Sequence, residues 1–571
     1  MHPAWKRHAL LAWSGGLALL VLAPLLSAGY VLHLDMVFVP KQTLLPWNLG
    51  IGGGLPRSVP QDAVVSLIAG PLPGQLLQKS ILVLTFILAG VGAGRVAGRT
   101  LPLQLPAAAL YLWSGYAASR LLMGHWGLLW AYALLPWAVL AAGRARRTGR
   151  WELVALLCGG GALVPTGGVI LAVTAVPLAI GFGSAVPRAG RWLLAASVLL
   201  FNAPWWLPAL RSPVAAVSDP LGLVVFGARA DGPGGVLLSV MGGGGVWNSL
   251  ATLGSRTTWF ATFGVIVIVT LAASGWSAAR QKLPAEVVWL TVLGVGGLVW
   301  AWLSGVVDGQ GWAQGLVATV PGGGLLRDGQ KWTVFWVLLV AVCAPHGIAR
   351  LTRRAQRPLA AFMAGALAFA PVAVLPDLAW GGLGRLQTSQ YPAQWDGLRD
   401  QLAVDPRAGD VVSLPWAAFR QYAWNHDDVV LDPLPRYLTR TVVWNDRLPV
   451  TVSGELVEVG GDDPRAGEIS RAIDEGRALA PLLADLGIRW VVEQTDQPQA
   501  TPEPDLAGTA VIWQEDGLIL REVTGSVVDR DPGDALVVAV DLLALILLVV
   551  LGWWAVVRNR SPRAKVSSPG L

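Results

Sequence analysis

The chain has 571 residues, 54% of them hydrophobic and only 14% charged. This composition excludes an ordinary soluble protein, in which about a quarter of the residues are charged. The formal net charge is +6, but the basic residues fall in short clusters between apolar runs, whereas nucleic-acid binding needs one clustered basic face.

The apolar runs predict a polytopic membrane protein. An apolar stretch of about 20 residues crosses the hydrocarbon core of a bilayer, and the sequence supplies about twelve of them. The first run is longer than the roughly 7–15 apolar residues of a signal peptide, so we expect a retained anchor. The predicted crossings cover residues 10–30, 80–94, 101–119, 126–142, 151–183 (two crossings), 191–210, 257–274, 286–304, 332–348, 358–375 and 535–557.

The basic clusters fall on alternate connections, and basic loops face the cytoplasm. Residues 151–183 count as two crossings, broken near Pro165-Thr166-Gly167-Gly168, because a single crossing would export every basic cluster that follows. Both termini, including the basic tail at residues 558–571, are then cytoplasmic. We therefore expect a multi-pass protein of a bacterial plasma membrane, with a transmembrane domain at residues 1–379. Its substantial outer loops are residues 33–79, 211–256 and 305–331.

Residues 380–530 differ from the rest of the chain. This region holds 24 of the 36 acidic residues, so the positive net charge belongs to the membrane part. Several short β-type runs and one stretch with helical spacing predict an extracytoplasmic α/β domain. At about 150 residues the domain is large enough to bury its own core. A final crossing follows at residues 531–557.

The first outer loop carries the densest set of candidate functional residues. Asp35 lies where the first helix leaves the membrane, and a partly desolvated carboxylate there can be held ready to accept a proton. The alternative is a solvated acid that ends a helix. Lys41, Arg57 and Asp62 follow in the same loop as candidate substrate-binding residues.

Two further outer segments carry cations. Arg327 and Lys331 precede a late helix, and two cations beside helix N-terminal amides form an anion site. Arg120 and His125 lie in the short turn after the third crossing, where Arg120 could neutralise a phosphate oxygen and His125 could donate to a sugar or an acid. The alternative for both segments is a set of interfacial charges and aromatic anchors.

Tryptophan is abundant, with 29 residues, and membrane-interface anchoring explains most of them. In the outer domain, Trp416 and Trp424 are candidates for a surface on which sugar rings stack. No Cys/His spacing predicts a metal site, and neither of the two cysteines lies in the outer domain.

Three motifs resemble the GT-C class of polytopic glycosyltransferases. The first is Leu34-Asp35 after the first helix, and the second is the stretch at residues 119–127 that leads into residues 132–137. The third is Arg-Asp-Gly-Gln-Lys at residues 327–331. Within that class, the chain looks most like the membrane part of actinobacterial arabinofuranosyltransferase-like proteins.

The resemblance implies a polyprenyl-phosphate sugar as donor and an envelope glycan, glycolipid or glycoprotein as acceptor. We expect no cofactor. It implies Asp35 as the general base and Lys331, Arg327 and Arg120 as partners of the donor phosphate. A second acid directly after Asp35, present in several members of the class, is replaced by Met36, which leaves a metal requirement unsupported.

We therefore expect a membrane glycosyltransferase that acts on the outer face among membrane lipids. Two alternatives stay open: a non-catalytic scaffold whose outer domain binds envelope partners, and a lipid or glycan transporter. Charged residues are scarce inside the crossings, which disfavours an ion-coupled transporter. The sequence does not specify the sugar, the linkage or whether a partner subunit takes part.

Overall fold

The computed structural model describes residues 4–52, 54–212, 221–306, 311–320, 322–452, 455–498, 503–530 and 533–560. Residues 561–571 of the predicted basic tail lie outside this part of the chain. So do residues 213–220 and 307–310 of the predicted outer loops.

Helices make up most of the described structure, which confirms the predicted mostly helical fold. In chain order they are α1 (Ala4–Leu22), α2 (Gln61–Ala69), α3 (Gly74–Ala97), α4 (Leu101–Leu112), α5 (Gly115–Leu122), α6 (Trp126–Thr148), α7 (Glu152–Gly161), α8 (Pro165–Ile180), α9 (Arg188–Arg211), α10 (Leu221–Val225), α11 (Gly235–Met241), α12 (Trp259–Lys282), α13 (Pro284–Val306), α14 (Gly311–Thr319), α15 (Val334–Leu351), α16 (Arg357–Val374), α17 (Ala379–Leu383), α18 (Gln394–Val404), α19 (Leu434–Tyr437), α20 (Pro464–Asp474), α21 (Leu479–Asp485) and α22 (Ala535–Arg560).

Among the described residues, nine helical segments are long and apolar enough to span a membrane. They contain α1, α3, α6, α9, α12, α13, α15, α16 and α22. The other predicted crossings consist of shorter helices. Residues 101–119 form α4 and most of α5, which begins where the Ser114 side chain accepts a hydrogen bond from the Ala117 amide. Residues 151–183 form α7 and α8.

Helices α7 and α8 form a hairpin beside α6. Its turn lies near the beginning of α6, where a Cβ on Gly127 would come within 2.6 Å of Val164. The residues after α8 return to the end of α6, where the Ala185 amide donates to the Arg146 carbonyl at 2.8 Å. The helix therefore breaks at residues 162–164, slightly before the predicted position, and the chain returns to the layer that it left.

Polar contacts between helix ends fall into two layers, as the predicted alternation of sides requires. In one layer they join His346 to Ala97, Arg147 to Glu286 and Arg558 to Glu152. In the opposite layer they join Arg120 to Asp328, Arg211 to Asp534 and Ser255 to Asp377. Which layer faces the cytosol stays a prediction from the basic clusters.

Most strands lie beyond residue 387. They are β1 (Tyr30–Val31), β2 (Thr388–Ser389), β3 (Asp410–Leu414), β4 (Phe419–Gln421), β5 (Val429–Leu431), β6 (Val442–Val443), β7 (Leu448–Val452), β8 (Glu455–Val459), β9 (Ile488–Gln494), β10 (Thr509–Glu515) and β11 (Leu518–Val523). The main sheet has the order β10-β11-β9-β3-β6, antiparallel on the β10 side and parallel on the β6 side. Its central strands β3 and β9 are almost wholly buried, which explains their continuous apolar sequences.

The first outer loop is part of the same packed unit as this sheet region. Tyr30 pairs with Ser389 in the short β1–β2 ladder. Leu34 inserts beside β5, since its amide donates to the Val429 carbonyl at 2.7 Å and its carbonyl accepts from the Leu431 amide at 2.8 Å. Residues 380–530, which we call the outer region after their predicted side, therefore share one core with the exit of the first helix. About 350 residues separate the two in sequence.

Candidate functional site

Asp35 lies where the exit of the first helix meets the turn between α5 and α6. Its amide donates to the Met123 carbonyl at 3.2 Å. The backbones approach so closely at Gly124 that a Cβ there would lie 2.2 Å from the Met36 amide nitrogen. The Asp35 carboxyl keeps 43% of its surface exposed, so it can still reach a substrate.

His125 connects Asp35 to the interior. Its Nε2 lies 2.9 Å from Asp35 Oδ2, and its Nδ1 lies 3.1 Å from a terminal nitrogen of Arg120. A guanidinium group can only donate hydrogen bonds, so Nδ1 accepts and carries no proton. The proton therefore resides on Nε2, and the His125 Nε2–H group donates a hydrogen bond to the Asp35 carboxylate.

Arg120 is completely buried, and its terminal nitrogens already have partners. The guanidinium group donates to both Asp328 carboxyl oxygens, at 2.7 and 3.1 Å, and to the Gln330 side-chain oxygen. Its side chain has no exposed surface. In this structure Arg120 is therefore an internal partner of an acid and a histidine, and its predicted contact with a donor phosphate stays a prediction.

Asp328 is the anionic end of this arrangement. Burial opposes its ionisation, but the charge and hydrogen bonds of Arg120, with a smaller contribution from Lys331, hold the pKa of Asp328 below its usual value. The ion pair is thus bidentate and only slightly exposed. Bidentate geometry gives a guanidinium–carboxylate pair its specificity.

Lys331 is held in the same layer. The Tyr116 hydroxyl on α5 donates to the Lys331 carbonyl at 3.1 Å. The side-chain amide of Gln330 donates to the Gly243 carbonyl at 2.8 Å. Arg327, at the other end of residues 327–331, stacks at 4.9 Å over the Phe226 ring in the second outer loop. The structure therefore brings Asp35, His125 and Arg120 together with the segment that carries Arg327 and Lys331.

No protein-family model and no curated protein matches the chain. The solved structures that are similar to it include two of the arabinofuranosyltransferase AftD from mycobacteria. The first has a TM-score of 0.55 and 16% identity, over 92% of this chain and 40% of that chain. The second, of a mutant form, has a TM-score of 0.51 and 16% identity, over 92% of this chain and 42% of that chain.

The chain has a GT-C-like fold. It spans about two fifths of the length of the AftD chains that it matches. At this level of identity the likeness concerns the fold alone.

The other predicted residues of the first outer loop mostly bind the outer region. Asp62 is buried and forms an ion pair with Arg436 at 3.0 Å, and Arg57 pairs with Asp462. Partial burial lowers the pKa of Arg57, but Asp462, Asp446 and Asp35 together raise it above its usual value. Arg57 therefore lies close enough to Asp35 to respond to its charge.

Lys41 lies exposed on the first outer loop. The structure shows no contact that ties it to Asp35 in the described part of the chain. Its predicted role in substrate binding stays a prediction.

The structure corrects the predicted aromatic surface at Trp416 only. Trp416 is only 8% exposed, and its indole nitrogen donates to the Ser470 hydroxyl at 2.9 Å inside the outer core. Trp424 is half-buried and stacks on Tyr422, with ring centroids 4.6 Å apart. Trp416 therefore presents no open face to a sugar ring, and the predicted role of Trp424 stays a prediction.

Asp328 is the functional residue that sequence reasoning did not assign. It stands 208 positions from Arg120, and a single sequence has no signal that pairs residues at such a distance. The only indication is local, because Asp328 stands between two cations in a segment predicted to bind anions. Among the described residues, no cluster of three or more His, Cys, Asp or Glu side chains could hold a metal ion.

Proposed function

We propose that this protein is an integral membrane glycosyltransferase of the bacterial cell envelope. It would transfer a sugar from a polyprenyl-phosphate donor to an envelope glycan, glycolipid or glycoprotein at the outer face of the plasma membrane. One observation carries the proposal: the open carboxylate Asp35 lies in the same layer as the cations Arg327 and Lys331, within a GT-C-like fold.

Asp35 acts as the general base in this scheme. It accepts the proton of an acceptor hydroxyl as that oxygen attacks the anomeric carbon of the donor sugar. The bond between the anomeric carbon and the phosphate oxygen breaks, and its electron pair leaves with polyprenyl phosphate. The proton on Asp35 then passes to water, which restores the carboxylate.

Lys331 and Arg327 act at the leaving group. Negative charge grows on the phosphate oxygens as the glycosidic bond breaks, and fixed cations stabilise it most when water is excluded. Lys331 suits this role because it is largely buried and its backbone is held by Tyr116. The scheme uses no cofactor.

Arabinofuranose is the sugar that we propose to test first. The support is the fold shared with AftD, named as an arabinofuranosyltransferase. The acceptor would then be an envelope glycan that carries a free sugar hydroxyl. The outer region would orient that acceptor, since its strand β5 is bound to the backbone next to Asp35.

The test uses the full-length protein in nanodiscs. A short-chain polyprenyl-phosphate arabinofuranose serves as donor and an arabinose oligosaccharide as acceptor, and mass spectrometry detects the extended product. Asp35→Asn should lower the rate by about 10²–10⁴-fold, the usual contribution of a general base. The matched control is Asp485→Asn, on an exposed acid of the outer region.

The outcomes separate the alternatives. Full activity of Asp35→Asn would remove the catalytic assignment. A wild-type protein that transfers no sugar but moves a lipid-linked glycan across proteoliposomes would be a transporter. If it does neither and still retains an envelope glycan on a column, the scaffold hypothesis holds.

A further inference from the structure

Helix α5 and the turn after it lie between the two ends of the proposed reaction. On one side, the Met123 carbonyl accepts from the Asp35 amide and His125 donates to the Asp35 carboxylate. On the other side, Arg120 holds Asp328 and Tyr116 holds the Lys331 carbonyl. One short element therefore contacts both the general base and the cationic segment.

We propose that Arg120, Asp328 and His125 are positioning residues that hold Asp35 and Lys331 in one fixed arrangement. In this assignment neither Arg120 nor His125 binds the donor phosphate or the sugar. The inference rests on the proposed function. It assigns Arg120, Asp328 and His125 to the orientation of the general base.

The hydrogen-bond directions support this assignment. His125 has no free lone pair, because Nδ1 accepts from Arg120 and Nε2 carries the proton of its hydrogen bond to Asp35. It therefore cannot take the acceptor proton itself, and Asp35 is left as the base. The donated hydrogen bond engages Oδ2, and the Asp35 side chain still keeps 43% of its surface exposed.

Burial supports it as well. A buried guanidinium is stable only with excellent partners, and removal of one partner leaves an uncompensated charge. Arg120 has Asp328, Gln330 and His125 as partners and no exposed surface. A phosphate could reach its terminal nitrogens only after one of these partners had left.

The first test replaces the histidine. His125→Gln retains a side-chain N–H close to the Nε2 position, whereas His125→Leu removes it. We expect His125→Leu to lower kcat by about 10²-fold, the usual cost of a displaced catalytic group, with the KM for the donor changed less than about 3-fold. His125→Gln should recover most of that loss. The matched control is His346→Leu, which removes a buried histidine hydrogen bond in the opposite layer and should leave kcat unchanged.

The second test replaces the ion pair. The double variant Arg120→Met with Asp328→Leu leaves no unpaired buried charge, so it should fold when single variants do not. We expect a fall in kcat of about 10-fold or more with a donor KM close to wild type. A donor KM that rises more than kcat falls, for either His125→Leu or the double variant, would show a phosphate or sugar ligand and overturn the inference.

Failure of this inference can be told apart from failure of the proposed function. If the wild type transfers no sugar from the polyprenyl-phosphate donor, the proposed function fails. If the wild type is active, Asp35→Asn is inactive and His125→Leu keeps full kcat, the function stands and the positioning role is wrong.

Discussion

Asp62 on α2 and Arg436 on α19 form a buried ion pair that joins the first outer loop to the outer region. The two charged groups are 3.0 Å apart, and their side chains are 3% and 9% exposed. Sequence reasoning placed Asp62 among substrate-binding residues, but the structure gives it an architectural partner. The loop that carries Asp35 is thus fixed at a second point, away from the carboxylate itself.

Loss of one member of this pair should destabilise the protein. We expect Asp62→Asn to lower the free energy of unfolding by about 3–5 kcal/mol, because Arg436 would remain buried without a counter-charge. Thermal unfolding of the purified protein measures this effect. The double variant Asp62→Leu with Arg436→Met should recover much of the stability, and a single variant as stable as wild type would contradict the prediction.

Asp328 should contribute to the acid sensitivity of the protein. Its pKa is lower in the folded state than in the unfolded chain, so the unfolded state takes up the proton first. The contribution is present in full above the unfolded pKa of about 4 and is lost as the pH falls through the folded value. Wild-type thermal stability should therefore fall below about pH 4 more steeply than that of Asp328→Asn. Parallel pH profiles of the two proteins would contradict this.

Gly124 should tolerate no side chain. Its φ is +76°, and a Cβ would meet the Met36 amide nitrogen at 2.2 Å, so the backbone beside Asp35 must move. We expect Gly124→Ala to cost about 1–3 kcal/mol in strain and to lower kcat. The control is Gly467→Ala on the open face of α20, where nothing lies within 4 Å. That change should be neutral or stabilise by about 0.5–1 kcal/mol.

Trp416 should matter for stability and not for sugar binding. Trp416→Ala should cost about 3–5 kcal/mol as a large-to-small change in a packed core. The protein that remains folded at low temperature should keep the KM of the acceptor. An acceptor KM raised 10-fold without loss of stability would restore the stacking role that the sequence suggested.

Much of the membrane part could be predicted from sequence because its signals are local. A run of about 20 apolar residues can be recognised without knowledge of its packing partners, and the basic clusters predict that the α7–α8 segment returns to the side from which it started. Only part of the candidate site has a local sequence signal. Asp35, His125 and Lys331 stand near helix ends with unusual charge, whereas the role of Arg120 depends on Asp328, which no local pattern connects to it. The predicted exposure of Trp416 was wrong because the local sequence does not distinguish a buried tryptophan from an exposed one.

The pairing of Leu34 with strand β5 has a consequence for biosynthesis. The backbone groups beside Asp35 find their partners only in residues synthesised almost 400 positions later. Early in translation the first helix can enter the bilayer, but the bend at Leu34 still lacks its hydrogen-bond partners in strand β5. A ribosome that stalls before residue 431 would therefore leave an inserted polypeptide in which the backbone next to Asp35 is not yet held in place.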